Sequence, residues 1–295
     1  MKNQADNLRE LVQHMKMELQ VQFEESSKKT RIITVTSGKG GVGKSNIAVN
    51  LAIALAEHKK KTILLDADLG LANIDVILGI SPQDNLASVI FGEKNISEII
   101  CNGPRGIRII PGGSGMHELA NLKEWQLEKF ITKVGHLEGT ADYLIVDTGT
   151  GLSRTVLSFA LAAEEIILAT TPEPTSLTDA YGLIKTMRKE RYKGKIAVIV
   201  NRVSSAAEAE TAFEKLQTAV TRFLDYAIDY LGYLREDGKV LQAVQAQEPF
   251  IILFPSSPAS QDIKAIANFV GKQNHQPQTT GSMRKFFGKV SDCFR

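Results

Sequence analysis

The chain has 295 residues, 43% of them hydrophobic, and a formal net charge of +2. That length suits one large α/β domain or two small ones with a full core, and the small charge gives no argument for nucleic acid. Its two cysteines, Cys101 and Cys293, lie far apart and form no C-x-x-C pair, which argues against a disulfide framework, a zinc site and an iron–sulfur site.

Residues 1–29 are polar, with Leu8, Leu11, Val12, Met15 and Leu19 spaced as one helical stripe, and Glu24–Lys29 reads as a linker. This stretch lacks the apolar core of a signal peptide, and no apolar run in the chain is long enough to span a bilayer. The expected location is cytoplasmic, with any membrane contact peripheral on the inner face of the cell membrane.

Residues 30–271 alternate short apolar runs with longer amphipathic ones. The pattern predicts strands near 31–36, 61–66, 107–110, 142–147, 165–170, 195–201 and 227–232. Helices are predicted near 44–57, 118–137, 153–162, 176–192, 206–225, 236–246 and 258–270. Such alternation implies an α/β fold, a doubly wound, mostly parallel sheet with helices on both faces, whose ligands sit beyond the carboxyl ends of the strands. Residues 272–281 are polar and aperiodic and read as a flexible linker. Residues 282–295 form a short apolar and basic segment.

The first predicted strand runs into Gly38-Lys39-Gly40-Gly41-Val42-Gly43-Lys44-Ser45, which fits G-x-x-x-x-G-K-[ST] and opens the first predicted helix. Glycines let backbone N–H groups curl around a phosphate chain, Lys44 reaches the outer phosphates, and the Ser45 hydroxyl suits Mg²⁺. The helix start adds its own pull on anions. Gly38, Gly40, Gly41, Val42, Gly43, Lys44, Ser45 and Asn46 are therefore the candidate phosphate-binding residues. Two later strands end in acids. Thr62–Leu65 leads to Asp66 and Asp68, and Tyr143–Val146 leads to Asp147 and the glycines Gly149 and Gly151. A carboxylate at the Asp147 position can hold Mg²⁺ through its water shell, and a carboxylate near Mg²⁺ stays ionised and accepts a hydrogen bond from water.

Lys39 is a second lysine inside the loop, and K-G-G-V-G-K-S resembles the deviant Walker A motif of the MinD/ParA family of P-loop NTPases. The resemblance covers residues 31–270. It implies an ATPase that works as an ATP-bound homodimer with Mg²⁺, with weak basal turnover. It also implies that Lys39 crosses the dimer interface to the partner's nucleotide and adds positive charge where charge develops in phosphoryl transfer. Asp66-Ala67-Asp68-Leu69-Gly70, with Asn73, resembles the family's switch I. By that resemblance Asp68 directs or deprotonates the attacking water and Asp66 lies near Mg²⁺ or its waters. Thr148-Gly149-Thr150-Gly151 stands where the family often has proline and alanine in switch II. Asn201-Arg202 looks like the family's adenine-side pair, and Ser204 replaces the aspartate that would read guanine, so ATP is expected over GTP. Pro255 is a further candidate for adenine contact.

The two ends carry the remaining signals. Met283, Phe286, Phe287, Val290, Cys293 and Phe294 form one helical stripe, with Arg284, Lys285, Lys289 and Arg295 off it. Such a helix suits an anionic membrane surface. It also suits docking on its own domain, and both hold if it is docked in the monomer and released in the dimer. Asn3-Gln4-Ala5-Asp6-Asn7-Leu8-Arg9 resembles the D-Q-A-x-x-L-R motif of the FlhG (FleN or YlxH) family of flagellar number regulators, with Asn3 in place of its first acid. That resemblance implies activation of the GTPase FlhF, with Gln4 as the key residue and Leu8 and Arg9 as docking contacts. No DNA partner is expected. The alternatives are a MinD-type division-site ATPase, a ParA-type DNA or cargo positioning ATPase, and a nucleotide-gated scaffold with little turnover.

Overall fold

A computed structural model of the chain describes residues 30–68, 73–92, 94–113, 124–273 and 282–293. The N-terminal segment, with Gln4, Leu8 and Arg9, lies outside the described residues, as does Phe294.

Eight strands form one sheet: β1 (Arg31–Ser37), β2 (Thr62–Ala67), β3 (Cys101–Asn102), β4 (Arg108–Ile110), β5 (Tyr143–Thr150), β6 (Glu165–Thr170), β7 (Lys195–Val203) and β8 (Asp229–Arg235). Their order is β3-β4-β2-β5-β1-β6-β7-β8. Every neighbouring pair is parallel except β3 with β4, which is antiparallel. The central strands are apolar and β-branched along almost their whole length because both faces are covered.

Helices α1 (Lys44–Glu57), α2 (Asn73–Leu78), α3 (Leu86–Ile90), α4 (Ile96–Ile99), α5 (Glu124–Gly135) and α6 (Arg154–Ala162) belong to the first part of the chain. Helices α7 (Pro174–Lys189), α8 (Ala206–Leu224), α9 (Gly238–Gln245), α10 (Phe250–Leu253), α11 (Pro258–Lys272) and α12 (Ser282–Asp292) follow. One core layer joins the sheet to residues of α5, α6, α7, α8 and α12. The other joins it to α1, α2, α9, α10 and α11. Helix α1 is apolar nearly all round, as a helix enclosed on every side must be. Its buried Asn50 donates to the Asn46 carbonyl at 2.8 Å and accepts from the Ile251 amide at 3.0 Å, pinning α10 beneath the P-loop helix.

Several boundaries differ from the sequence reading for local reasons. Helix α7 starts at Pro174, where a missing N–H costs nothing. It stops at Lys189 rather than 192, because Arg191 takes a left-handed conformation with φ 60°. Within the expected 118–137 helix, the described part spans Glu124–Gly135. Helix α11 runs through Lys272, so the expected linker begins later than residue 272.

The tail takes the docked arrangement, one of the two its sequence allows. Its apolar stripe does not face solvent. Met283, Phe286, Phe287 and Val290 are buried in the core. Phe287 meets Phe130 of α5 edge-on with ring centroids 5.6 Å apart, and Phe286 lies 6.0 Å from Phe159 of α6. The Met283 amide donates to Glu138 Oε2 at 2.7 Å, and Arg154 Nε donates to the Cys293 carbonyl at 3.0 Å. Helix α12 is therefore docked, and Arg284 and Lys285 point outward.

Candidate nucleotide site

Strand β1 lies between β5 and β6, and the chain leaves its carboxyl end through the loop 38–43 into α1. This is the crevice where open α/β sheets take ligands. Gly43 has φ 90° and a Cβ there would lie 2.3 Å from Asn201 Nδ2, while a Cβ on Gly38 would strike the Asp179 backbone at 2.3 Å. Only glycine satisfies both positions, and the result is an open cradle of backbone N–H groups at the start of α1.

Three acids converge below that cradle. Lys44 Nζ lies 2.5 Å from Asp147 Oδ1 and 3.2 Å from Ser45 Oγ, with Lys44 4% exposed and Asp147 wholly buried. Asp147 Oδ2 is buried with no hydrogen-bond partner among the described residues. Burial pushes the Asp147 carboxyl above the usual carboxylate range, against the pull of Lys44 and Ser45. Burial, reinforced by the Asp147 charge, pushes Asp66 up to about 7. Without a metal, burial favours the acid form of Asp66. A divalent cation would restore the carboxylate. The orphaned Asp147 oxygen, the Ser45 hydroxyl and Asp66 together are a hard-oxygen donor set that fits Mg²⁺.

Asp68 sits at the mouth of this group. Its amide donates to Asp66 Oδ1 at 3.0 Å, and its Oδ2 accepts from Asn73 Nδ2 at 3.4 Å. A Cβ on Gly149 would approach both Asp68 Oδ1 and Val156 Cγ2 of α6 at 3.3 Å, so the switch II glycine is wedged between the acid and that helix. Thr150 Oγ1 is 3.7 Å from the Cβ position of Gly40. The carboxyl end of β5 thus runs alongside the phosphate cradle and leads through residues 151–153 into α6.

Lys39 points away from its own cradle. Its Nζ bonds Glu173 Oε2 at 3.0 Å and Thr175 Oγ1 at 2.9 Å, at the start of α7. Glu173 and Thr175 were not legible as site residues, since neither belongs to a phosphate-binding spacing. The base-side pocket, about 330 Å³, is lined by Gly43, Asn46, Asn201, Arg202, Leu241 and Phe250 among others. Asn201 Nδ2 donates to the Val42 carbonyl at 2.7 Å and Oδ1 accepts from the Arg202 amide, so the loop itself orients this side chain. Arg202 is left-handed with φ 58°. Pro255 does not line the pocket; its carbonyl accepts from Lys264. The segment after β8, including Glu236, Asp237 and Leu241, takes that place.

A cradle of this form on a sheet of this order defines a P-loop nucleotide-binding protein. The profile of the ParA family, described as NUBPL iron-transfer P-loop NTPase, matches residues 28–271. Relatives include the antiactivator FleN of Pseudomonas aeruginosa, 42% identical over 240 residues that cover 81% of this chain and 86% of that protein. The flagellum site-determining protein YlxH of Helicobacter pylori is 35% identical over 272 residues, covering 92% and 90%. Among solved structures, the MinC:MinD cell division complex of Aquifex aeolicus matches with a TM-score of 0.68 at 26% identity, over 85% of this chain and 99% of that one. MinD of Pyrococcus horikoshii, complexed with Mg-ADP, gives 0.66 at 28% identity, over 82% and 96%. The chain belongs to the ParA/MinD family of P-loop NTPases, and it is an ATPase.

Proposed function

We propose that this ATPase is a switch controlling flagellar number and placement, in which nucleotide state sets both self-association and membrane residence. The relatives FleN and YlxH support the flagellar reading, as does the N-terminal Asn3–Arg9 motif. The observation that carries the switch is the position of α6. It begins four residues beyond the end of β5, whose Gly149 and Thr150 lie beside Asp68 and the phosphate cradle, and its Phe159 packs on Phe286 of the docked tail. A shift of Gly149 or Thr150 on binding ATP would therefore be transmitted to the helix that holds α12.

In this reading two ATP-bound copies pack through their P-loop faces and each Lys39 leaves Glu173 for the partner's phosphates. Lys44, Ser45, Asp66 and Asp147 hold the phosphates and Mg²⁺, Asn201 and Arg202 flank adenine, and Asp68 directs water at the terminal phosphate. Release of α12 lets Met283, Phe286, Phe287, Val290 and Phe294 enter an anionic membrane. Two tails in one dimer bind far more tightly than one. Hydrolysis reverses both events.

The iron-transfer description attached to the family profile suits this chain poorly, because its two cysteines are far apart in sequence and form no C-x-x-C pair. A scaffold with little turnover uses the same site, and steady-state phosphate release separates it from a cycling ATPase. The flagellar assignment is tested by the FlhF GTPase rate with a peptide of residues 1–25 and with its Gln4→Ala form. Stimulation abolished by the substitution supports it. If neither the peptide nor the ATP-bound full chain stimulates FlhF, the biology moves to division-site or cargo positioning.

A further inference from the structure

The end of the sheet opposite the phosphate cradle carries a fixed cationic surface that the ATPase chemistry does not use. From the end of α7 to the start of β7 the chain reads Arg188-Lys189-Glu190-Arg191-Tyr192-Lys193-Gly194-Lys195, and Lys189, Arg191, Lys193 and Lys195 are all exposed. None of these four forms an ion pair among the described residues. The turn that presents them is tightly held. Tyr192 is buried, its amide donates to the Met187 carbonyl at 2.9 Å, and its hydroxyl donates to the Lys195 carbonyl at 3.3 Å. The Arg188 guanidinium lies 4.6 Å from the Tyr226 ring centroid and donates to the Tyr192 carbonyl, and the Tyr226 hydroxyl donates to the Gly194 carbonyl. The lysines are thus mounted on a braced turn and lose less freedom on meeting a ligand than lysines on a free loop.

This turn meets the polar face of the tail. Arg191, Lys193, Lys195 and Lys289 of α12 line one open cavity of about 410 Å³, whose acids are Glu164 and Glu190. Arg284 and Lys285 are exposed on the same helix, and Lys285 lies 3.9 Å from Glu164. The docked tail therefore hides its phenylalanines while its basic face extends the cationic surface of the α7–β7 turn.

We propose that this surface is an anionic-phospholipid contact that works while α12 is still docked, bringing the monomer to the bilayer before the phenylalanines are released. The inference deepens the membrane part of the proposed function and rests on that reading. A lipid surface is favoured over nucleic acid because the cations are continuous with the helix that carries the apolar stripe. The surface also lies at the amino ends of β6 and β7, away from the P-loop face, so packing through that face leaves it open.

The test uses full-length protein, nucleotide-free and with Mg-ADP, sedimented with phosphatidylglycerol vesicles or with phosphatidylcholine vesicles. The wild type is expected to bind the former weakly, to lose that binding at high salt, and to ignore the latter. K189Q/K193Q should bind about 25-fold less, roughly fivefold for each cation removed. Its ATP turnover and circular dichroism should match the wild type, since neither side chain touches the nucleotide site or the core. Equal binding by K189Q/K193Q overturns the inference. So does displacement by inorganic phosphate at matched ionic strength, which reassigns the cavity to a soluble anion. Loss of duplex DNA retention in the variant with vesicle binding unchanged would assign the surface to nucleic acid instead. A parallel arm with a non-hydrolysable ATP analogue keeps the two readings apart. ATP-stimulated binding in both proteins, with nucleotide-free binding of K189Q/K193Q equal to the wild type's, sustains the switch and overturns this surface alone, whereas loss of ATP stimulation with the nucleotide-free difference intact overturns the switch alone.

Discussion

Lys44 and Asp147 hold each other in a dry pocket at 2.5 Å, and each is costly to leave alone. Lys44→Ala should raise the dissociation constant for ATP roughly 10- to 100-fold, the worth of a charge-assisted contact, as read by calorimetry. It should also lower the unfolding free energy by about 3 kcal/mol at neutral pH, read in urea, because Asp147 is stranded. Asp66 gives a different signature. Burial raises its folded pKa to about 7 from the ordinary 3.8, so between those values the folded chain holds a proton there that the unfolded chain has lost. Stability without Mg²⁺ should therefore fall, by a few kcal/mol, as pH rises through that window. Asp66→Asn, which mimics the protonated acid, should flatten that fall, and denaturation at several pH values checks it. These acids and the loop were legible because each ends an apolar strand or fits a phosphate spacing. Glu173, the resting partner of Lys39, and Asn50, which pins α10, were not, because a single polar residue carries no period and its partner lies across the fold.

Among the elements, those with a long uninterrupted pattern were readable and the short ones were not. Strands β1, β2, β5, β6 and β7 are apolar runs, and the sequence locates each within a few residues. Strand β3 has two residues, and α2, α3, α4 and α10 have four to six, too few to show a face. The stripe of α12 was legible, but its destination was not, because an apolar face suits a core or a bilayer equally. Glu138 offers a way to separate the two. Its Oε2 accepts from the Met283 amide at the start of α12 while Oε1 accepts from the Thr30 amide, so it ties the tail to the residue before β1 without contributing to the apolar stripe. Glu138→Ala should raise the undocked population of α12 about tenfold, equivalent to one lost charged hydrogen bond. Vesicle binding should rise without nucleotide, and sedimentation with anionic vesicles checks this. Binding that still requires ATP to the same degree would mean that Glu138 does not restrain the tail.

At the scale of the whole molecule, the sheet order puts the nucleotide site and the basic turn at opposite ends of one sheet. The phosphate cradle lies at the carboxyl ends of the strands and the basic turn at the amino ends, and α6 runs from the switch loop toward the tail. The alternation of elements announced such a sheet, but not its order or the face that receives α12, since both depend on contacts between distant segments. Asp68→Ala should leave ATP binding intact and cut turnover at least 100-fold, because a directing group for the attacking water is gone. The variant should accumulate as a dimer on anionic vesicles with ATP, read by light scattering and sedimentation. Wild-type turnover together with an ATP-independent monomer would remove Asp68 from its assigned role. The coupling itself is open to hydrogen exchange across residues 282–292. The amides should be protected without nucleotide and with Mg-ADP, and should exchange much faster when a non-hydrolysable ATP analogue forms the dimer in the absence of lipid. Protection unchanged in every nucleotide state, in a chain that still dimerises with ATP, would contradict a switch that works by releasing α12.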